Sequence, residues 1–250
     1  MLEMPWDPQA ADVQTSVVER FGLSYRVAGS LAEVLDSWQL VYQSYTRDGL
    51  IDPNPFGVHT TKYAVGPRTA VAMAVLKGSV VGTLSSYGDG PEGLPLDVAY
   101  RPEIESLRRA GRRPMEVGLF ADRRVQVSRS VESLLELMRY AFYFALDLSA
   151  DDVIVGVHPR HAPFYMRLFG FEQLGARRTY PMVKDRPVVL LKFDMNRQPA
   201  TDSLPKGLAY LVQHPLSRAT FKDRYLFDEP AVAESAIGQF VASHAASHAA

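Results

Sequence analysis

Glu116 is the residue whose setting most demands a chemical explanation. It stands in Pro114-Met115-Glu116-Val117-Gly118-Leu119-Phe120, a run that otherwise reads as an apolar β-strand. A carboxylate in such a run is costly to bury without partners. Facing a cleft, it can hold an ammonium and take its proton directly or through one water. Strand neighbours alternate faces, so a surface-facing glutamate is the competing reading. His158 and His161 flank Pro159 at a strand end, where functional groups often sit, but lack the clustered partners of a metal site. Their residue type fits catalysis or a local loop role. The chain has no cysteine, so disulfides, a thiolate nucleophile and Cys-ligated zinc are ruled out.

Arginines supply a second signal. Arg108, Arg109, Arg112, Arg113, Arg123, Arg124 and Arg129 crowd residues 108–129, opposed there only by Glu116 and Asp122. A one-sided patch on a nearly neutral chain (27 basic, 28 acidic residues) suits the steering of an acidic partner. A solvated charged face is the plain alternative. Nucleic acid is disfavoured by the charge balance and by the absence of interleaved aromatics. The N-terminus shows no signal peptide, and the longest apolar run, Tyr140–Leu146, is far short of the ~20 residues that span a bilayer. A cytoplasmic location is expected.

The elements that must position these residues follow from periodicity. Ser24-Tyr25-Arg26-Val27 reads as a strand, and Ser30-Leu31-Ala32-Glu33 as a capping box opening a helix that ends near Gly49. That helix carries Leu31, Val34, Leu35, Trp38, Val41, Tyr42 and Tyr45 at helical spacing. A Pro-rich loop around Phe56 follows. Thr69–Leu76 and Val80–Ser86 flank a hairpin turn, and Pro102–Ala110 reads as a helix before the Glu116 strand. Ser130 is placed to cap a helix whose apolar face runs from Val131 to Ala145. Val153–Val157 is a strand buried on both faces, Ala162–Phe169 a helix stopped by Gly170, and Pro187–Phe193 a last strand. The alternation predicts an α/β fold. Beyond Asn196 the pattern weakens, and the end from Ser243 is low-complexity and expected to be disordered.

His158-Pro159-Arg160-His161-Ala162-Pro163-Phe164-Tyr165-Met166-Arg167-Leu168-Phe169-Gly170-Phe171-Glu172 resembles the strand, helix and Gly-Phe segment of GNAT acyltransferases. It is closer still to the FeeM-like long-chain N-acyl amino acid synthases. Val41–Tyr45, Gly93–Asp97 and Glu116–Ala121 are similar to that family as well, and the resemblance covers residues 24–194. The related LuxI-type acyl-homoserine-lactone synthases typically carry two arginines where this chain has Leu84 and Leu119. Their loss argues against lactone synthesis from S-adenosylmethionine and for an amino-acid acceptor.

The resemblance implies a GNAT-like mixed, mostly antiparallel sheet with helices on both faces and splayed central strands. Residues 1–195 would form this domain, and 196–250 a partly helical C-terminal extension. The implied reaction moves a long-chain acyl group from acyl carrier protein to an amino acid. Glu116 would position or deprotonate the amine, and the backbone at Gly118 and Leu119, opened by a bulge, would bind the thioester oxyanion. Tyr165 would protonate the leaving thiolate. It stands five residues before Gly170 rather than the usual four, an offset of about 100° around the helix, so a packed core tyrosine is the alternative. Trp38, Tyr42 and Phe56 are candidates for the substrate pocket, with core packing the plain reading of the first two.

GNAT enzymes that use coenzyme A usually carry a glycine-rich turn that grips the pyrophosphate at a helix N-terminus. Here Ala121–Ser130 contains no glycine. Arg123, Arg124 and Arg129 would instead dock the carrier. No metal or redox cofactor is implied. The rivals are a coenzyme A-dependent N-acetyltransferase and a non-catalytic GNAT domain that binds acyl chains or a carrier.

Overall fold

The computed structural model describes residues 23–123, 127–197, 204–227 and 229–247, with the side chains of 127–130, 229 and 244–247 excepted. Its centre is an eight-stranded sheet. The strands are β1 (Leu23–Val27), β2 (Thr69–Leu76), β3 (Ser79–Gly88), β4 (Pro114–Asp122), β5 (Asp152–Val157), β6 (Glu172–Gln173), β7 (Arg178–Tyr180) and β8 (Arg186–Asp194). Their order is β1-β2-β3-β4-β5-β8-β6, with β7 also paired to β8. Only β4 and β5 run parallel. The expected mixed, mostly antiparallel sheet is observed.

The helices are α1 (Leu31–Arg47), α2 (Asp97–Arg109), α3 (Val127–Asp147), α4 (Ala162–Phe169), α5 (Lys206–Gln213), α6 (Glu229–Ala233) and α7 (Ala236–Ser247). Two apolar layers sandwich the sheet. One joins it to α3, α4 and α5, and centres on Phe142, Phe169, Phe171 and Phe193. The other joins it to α1, α2 and the C-terminal helices through Trp38, Tyr100, Ile104 and Ile237. Phe142 lies within 6.3 Å of the other three rings, in stacked and edge-on arrangements that favour aromatic pairs.

Local rules explain the boundaries. The Ser30 hydroxyl accepts from the Glu33 N–H at 3.3 Å, as a capping box requires, but the Glu33 carboxylate reaches one residue further back and accepts from Gly29 N–H at 2.8 Å. Lys77 and Gly78 both have positive φ, the requirement of a tight two-residue hairpin turn between β2 and β3. Pro102 lies inside α2, where its missing N–H and ring coincide with a kink at Tyr100. Three expectations are corrected. The third helix begins at Val127, so Ser130 lies inside it rather than capping it. Short strands β6 and β7 precede β8. The tail from Ser243 is helical to Ser247, while 248–250 lie outside the described residues.

Among the described residues, no helix is long and apolar enough to cross a membrane.

Candidate active site

β4 and β5 pair from Pro114↔Asp152 to Val117↔Val155, and there the ladder stops. β4 continues to Asp122 and β5 to Val157, so the backbone from Gly118 onward has no partner on β5. On the other side, β3 and β4 slip register: Ser85 faces Gly118 and Thr83 faces Ala121, leaving two β4 residues opposite Leu84 alone. This is a β-bulge at Leu119-Phe120. Its conformational strain sits at Leu119, with φ +49°, and not at the neighbouring glycine. A left-handed leucine costs roughly 1–2 kcal/mol, so the surrounding packing must hold it there. The parted strands and the bulge therefore coincide at Gly118-Leu119.

Glu116 projects into this region from the layer under α1 and α2, since Met115 and Val117 on either side belong to the α3 layer. It is 4 % exposed. Burial holds its carboxyl well above the usual carboxylate range, a Leu96 N–H bond pulls back, and the Asp97 charge pushes up further. Leu96 N–H donates to Oε2 at 2.8 Å. The loop carrying Leu96 is itself clamped: Arg108 grips Asp89 at 2.7 and 2.8 Å and Asp97 at 2.9 and 2.7 Å, while Asp97 accepts from Leu94 N–H at 2.7 Å. One oxygen of Glu116 is thus fixed by a braced backbone. The other, Oε1, lies 3.8 Å from where a Cβ on Gly118 would stand.

Tyrosines surround the carboxylate. Tyr87 is its partner across the β3–β4 ladder. Burial raises the phenols of Tyr87 and Tyr180, and the nearby Glu116 charge adds to both. Tyr45 is raised by burial and by Tyr165. Tyr45 belongs to the α1 layer and Tyr165 to the α4 layer, so the Tyr165 phenol acts on Tyr45 from the opposite layer. Tyr165 is partly buried among Phe164, Phe169 and Phe171, and burial pushes its pKa up to about 12. It has the packing of a core residue, and its link toward the site is its effect on Tyr45.

The other sequence candidates divide. Trp38 is fully buried, donates to Ser85 Oγ at 3.1 Å and stacks on Phe227 at 5.8 Å, so in this conformation it has no surface to offer a substrate. Tyr42 ties down the Pro-rich loop, its hydroxyl donating to the Asn54 carbonyl at 3.3 Å. Phe56 is half-buried, edge-on to Phe240 of α7 at 6.3 Å. His158 accepts from Arg160 N–H at 3.3 Å, a local capping contact. Among the described residues, no group of three or more His, Asp or Glu could hold a metal ion.

The arginine run is not one patch. Arg108 is the internal clamp just described. Arg112 pairs with buried Asp152 and with Asp194, and Arg113 with Asp151. These precede β4, whereas Arg123 follows it and engages Gln43 at 3.2 Å, about 30 Å away along the strand. Arg124 lies outside the described residues, as does the side chain of Arg129 in the first turns of α3. Sequence reasoning missed Tyr87, Tyr180 and the Leu96 N–H. Cross-strand register and loop clamping leave no local mark, although the Glu116 run signalled where to look.

The family described as N-acyl amino acid synthase FeeM matches residues 36–194. The solved structure of FeeM, an N-acyl amino acid synthase from uncultured soil microbes, is 25% identical, covers 69% of this chain and 89% of that one, and superposes with a TM-score of 0.61. BjaI, a CoA-dependent acyl-homoserine lactone synthase solved with SAM and isopentyl-CoA, is 17% identical over 77% of this chain and 91% of its own, with a TM-score of 0.52. The AHL synthase LasI is 14% identical over 70% and 90%, with a TM-score of 0.54. No curated protein matches. The lactone synthases share the fold. The family match, spanning more than half of the chain and including the bulged strand and its buried glutamate, makes this protein an acyltransferase of the FeeM N-acyl amino acid synthase family.

Proposed function

We propose that the protein transfers a long-chain fatty acyl group from acyl carrier protein to the amine of an amino acid. The observation that carries this reading is the buried Glu116 carboxyl, its pKa raised by burial, beside the place where β4 and β5 part. A thioester arm laid in that gap would put its carbonyl against the bulged backbone at Gly118-Leu119, an oxyanion site organised before the reaction begins. The amine nitrogen attacks the carbonyl carbon, the C–N bond forms and the C–S bond breaks. Glu116 takes the proton that nitrogen sheds, and its raised pKa makes it a stronger base than a solvated carboxylate. Tyr165, neutral with its pKa pushed up to about 12, gives a proton to the departing thiolate, and the proton taken by Glu116 returns through solvent to the Tyr165 phenolate, which resets both groups. The products are an amide and a free carrier thiol. No step needs a metal or redox group.

For the donor, the glycine-free segment between β4 and α3 supports a carrier over coenzyme A, because no tight phosphate cradle is encoded there. Arg123, Arg124 and Arg129 supply positive charge for the carrier's acidic surface and pantetheine phosphate. Tyr42 and Phe56, which fasten the Pro-rich loop, would contact the substrate from the α1 side. A thiol-release assay with free amino acids tests the donor. Long-chain acyl carrier protein should turn over faster than acetyl-coenzyme A by at least about tenfold, a barrier difference of about 1.4 kcal/mol. The reverse order would make this a coenzyme A-dependent enzyme.

A further inference from the structure

Tyr87 presents an unexplained hydroxyl. The residue is 2 % exposed, at the end of β3, directly across the ladder from Glu116. Its oxygen is buried and makes no hydrogen bond of ordinary geometry. The Ser85 hydroxyl, on the same face of β3, accepts from Trp38 and lies close enough to pull the phenol's pKa down, but does not complete a bond to it. Burying a phenol this way is unfavourable, and native interiors rarely leave such a group unpaired without a reason. Glu116 Oε1 does not relieve it, since no bond joins the two.

Gly118 shows where the missing partner would go. A Cβ built there would lie 3.8 Å from the Tyr87 hydroxyl, 3.8 Å from Glu116 Oε1 and 3.5 Å from the Tyr87 ring, all ordinary contact distances. The side chain that glycine lacks thus leaves a small hollow between phenol and carboxylate. It adjoins the bulge at Leu119, where β4 leaves β5. Its chemistry is a neutral hydroxyl and a carboxyl facing one another in an apolar layer. A primary amine matches it: one N–H points to each oxygen, and the nitrogen lone pair is left free to attack.

We propose that Tyr87 is an acceptor-binding residue whose hydroxyl, with Glu116 and across the gap left by Gly118, holds and orients the attacking amine. This rests on the acyltransfer site proposed above and adds a second anchor to it. Two anchors fix the direction of the lone pair, which one carboxylate cannot do. The hydroxyl does not take the reacting proton, which goes to Glu116.

Tyr87→Phe tests this because function and stability should move in opposite directions. Removing an unpaired buried hydroxyl while keeping the ring should leave the melting temperature unchanged or raise it. Removing an amine anchor should lower kcat/KM for the amino acid by about tenfold, a typical hydrogen-bond loss, with KM for the acyl donor unchanged. Glu116→Gln is measured in parallel. Loss in both variants, with Tyr87→Phe acting through the acceptor alone, is the expected result. Loss in Glu116→Gln with full activity in Tyr87→Phe would overturn the role of Tyr87 and leave the site standing. Full activity in both would remove the site itself. A fall in melting temperature for Tyr87→Phe would show that the hydroxyl has a structural partner, and would also overturn the proposal.

Discussion

Burial gives Glu116 a thermodynamic signature that can be read without substrate. Its folded-state pKa is raised above the ordinary 4.5, so over the interval between the two values the native protein keeps a proton that the unfolded chain has released. Stability from this group is fully present below 4.5 and is lost as pH rises through the folded pKa. The groups facing it are Asp97 on α2, Tyr87 on β3 and Tyr180 on β7, with Tyr45 of α1 further out. Glu116→Gln fixes a neutral side chain and keeps an oxygen to accept the Leu96 N–H. In urea denaturation it should exceed the parent in stability at neutral and alkaline pH, and the difference should close in acid. A constant difference at every pH would mean that the carboxyl titrates as a solvated one. Glu116 was legible in the sequence because a charged residue in an apolar strand is conspicuous. Tyr87 was not, because its significance comes from facing Glu116, and register between strands is not a local property.

The elements on the α1 side of the sheet are held by contacts remote in sequence. The Pro-rich loop is tied to α1 by Tyr42 and Asn54, while Asn54 Oδ1 accepts from the N–H groups of Phe56 and Gly57. Over it lies α7, with Phe240 edge-on to Phe56 and to His59. Nearby, Phe227 stacks on Trp38. Residues read from sequence as a weakly patterned extension are therefore packed onto the apolar layer on the α1 side. Phe240, 3 % exposed, anchors α7 there. Phe240→Ala should destabilise the fold by about 3–5 kcal/mol, the usual range for a buried phenyl, as measured by a shift of the urea midpoint at unchanged slope. A shift worth less than about 0.5 kcal/mol, the ordinary surface range, would show that α7 is not packed on this surface. Long amphipathic helices and hydrophobic strands were readable from periodicity. β6 and β7, two and three residues long, were too short to carry a period. The bulge was expected at Gly118 on grounds of backbone freedom, but the positive φ fell to Leu119, where packing outweighs propensity.

For the molecule as a whole, sheet order converts nearness in sequence into distance. Arginines that crowd residues 108–129 are divided by the length of β4, and three of them serve to fasten its first end to acidic groups on the adjoining loop and strands. A charge count could not see this, since each partner is supplied by a segment distant in sequence. The same sheet order creates the feature on which the proposed function rests, a parallel pair that separates after Val117 in an otherwise mostly antiparallel sheet. The alternation of strands and helices indicated the class of fold. The family resemblance, rather than periodicity, indicated the gap.

The central claim is that Glu116 beside this gap forms an amide from a thioester and an amino acid. It is tested most directly by mass spectrometry of the products formed by purified protein from long-chain acyl carrier protein and a mixture of amino acids. The account predicts a long-chain N-acyl amino acid in the parent reaction and a fall of about a hundredfold or more in Glu116→Gln, the range for loss of a general base. Release of free fatty acid without an amide, or amide formed equally well by the variant, would contradict it.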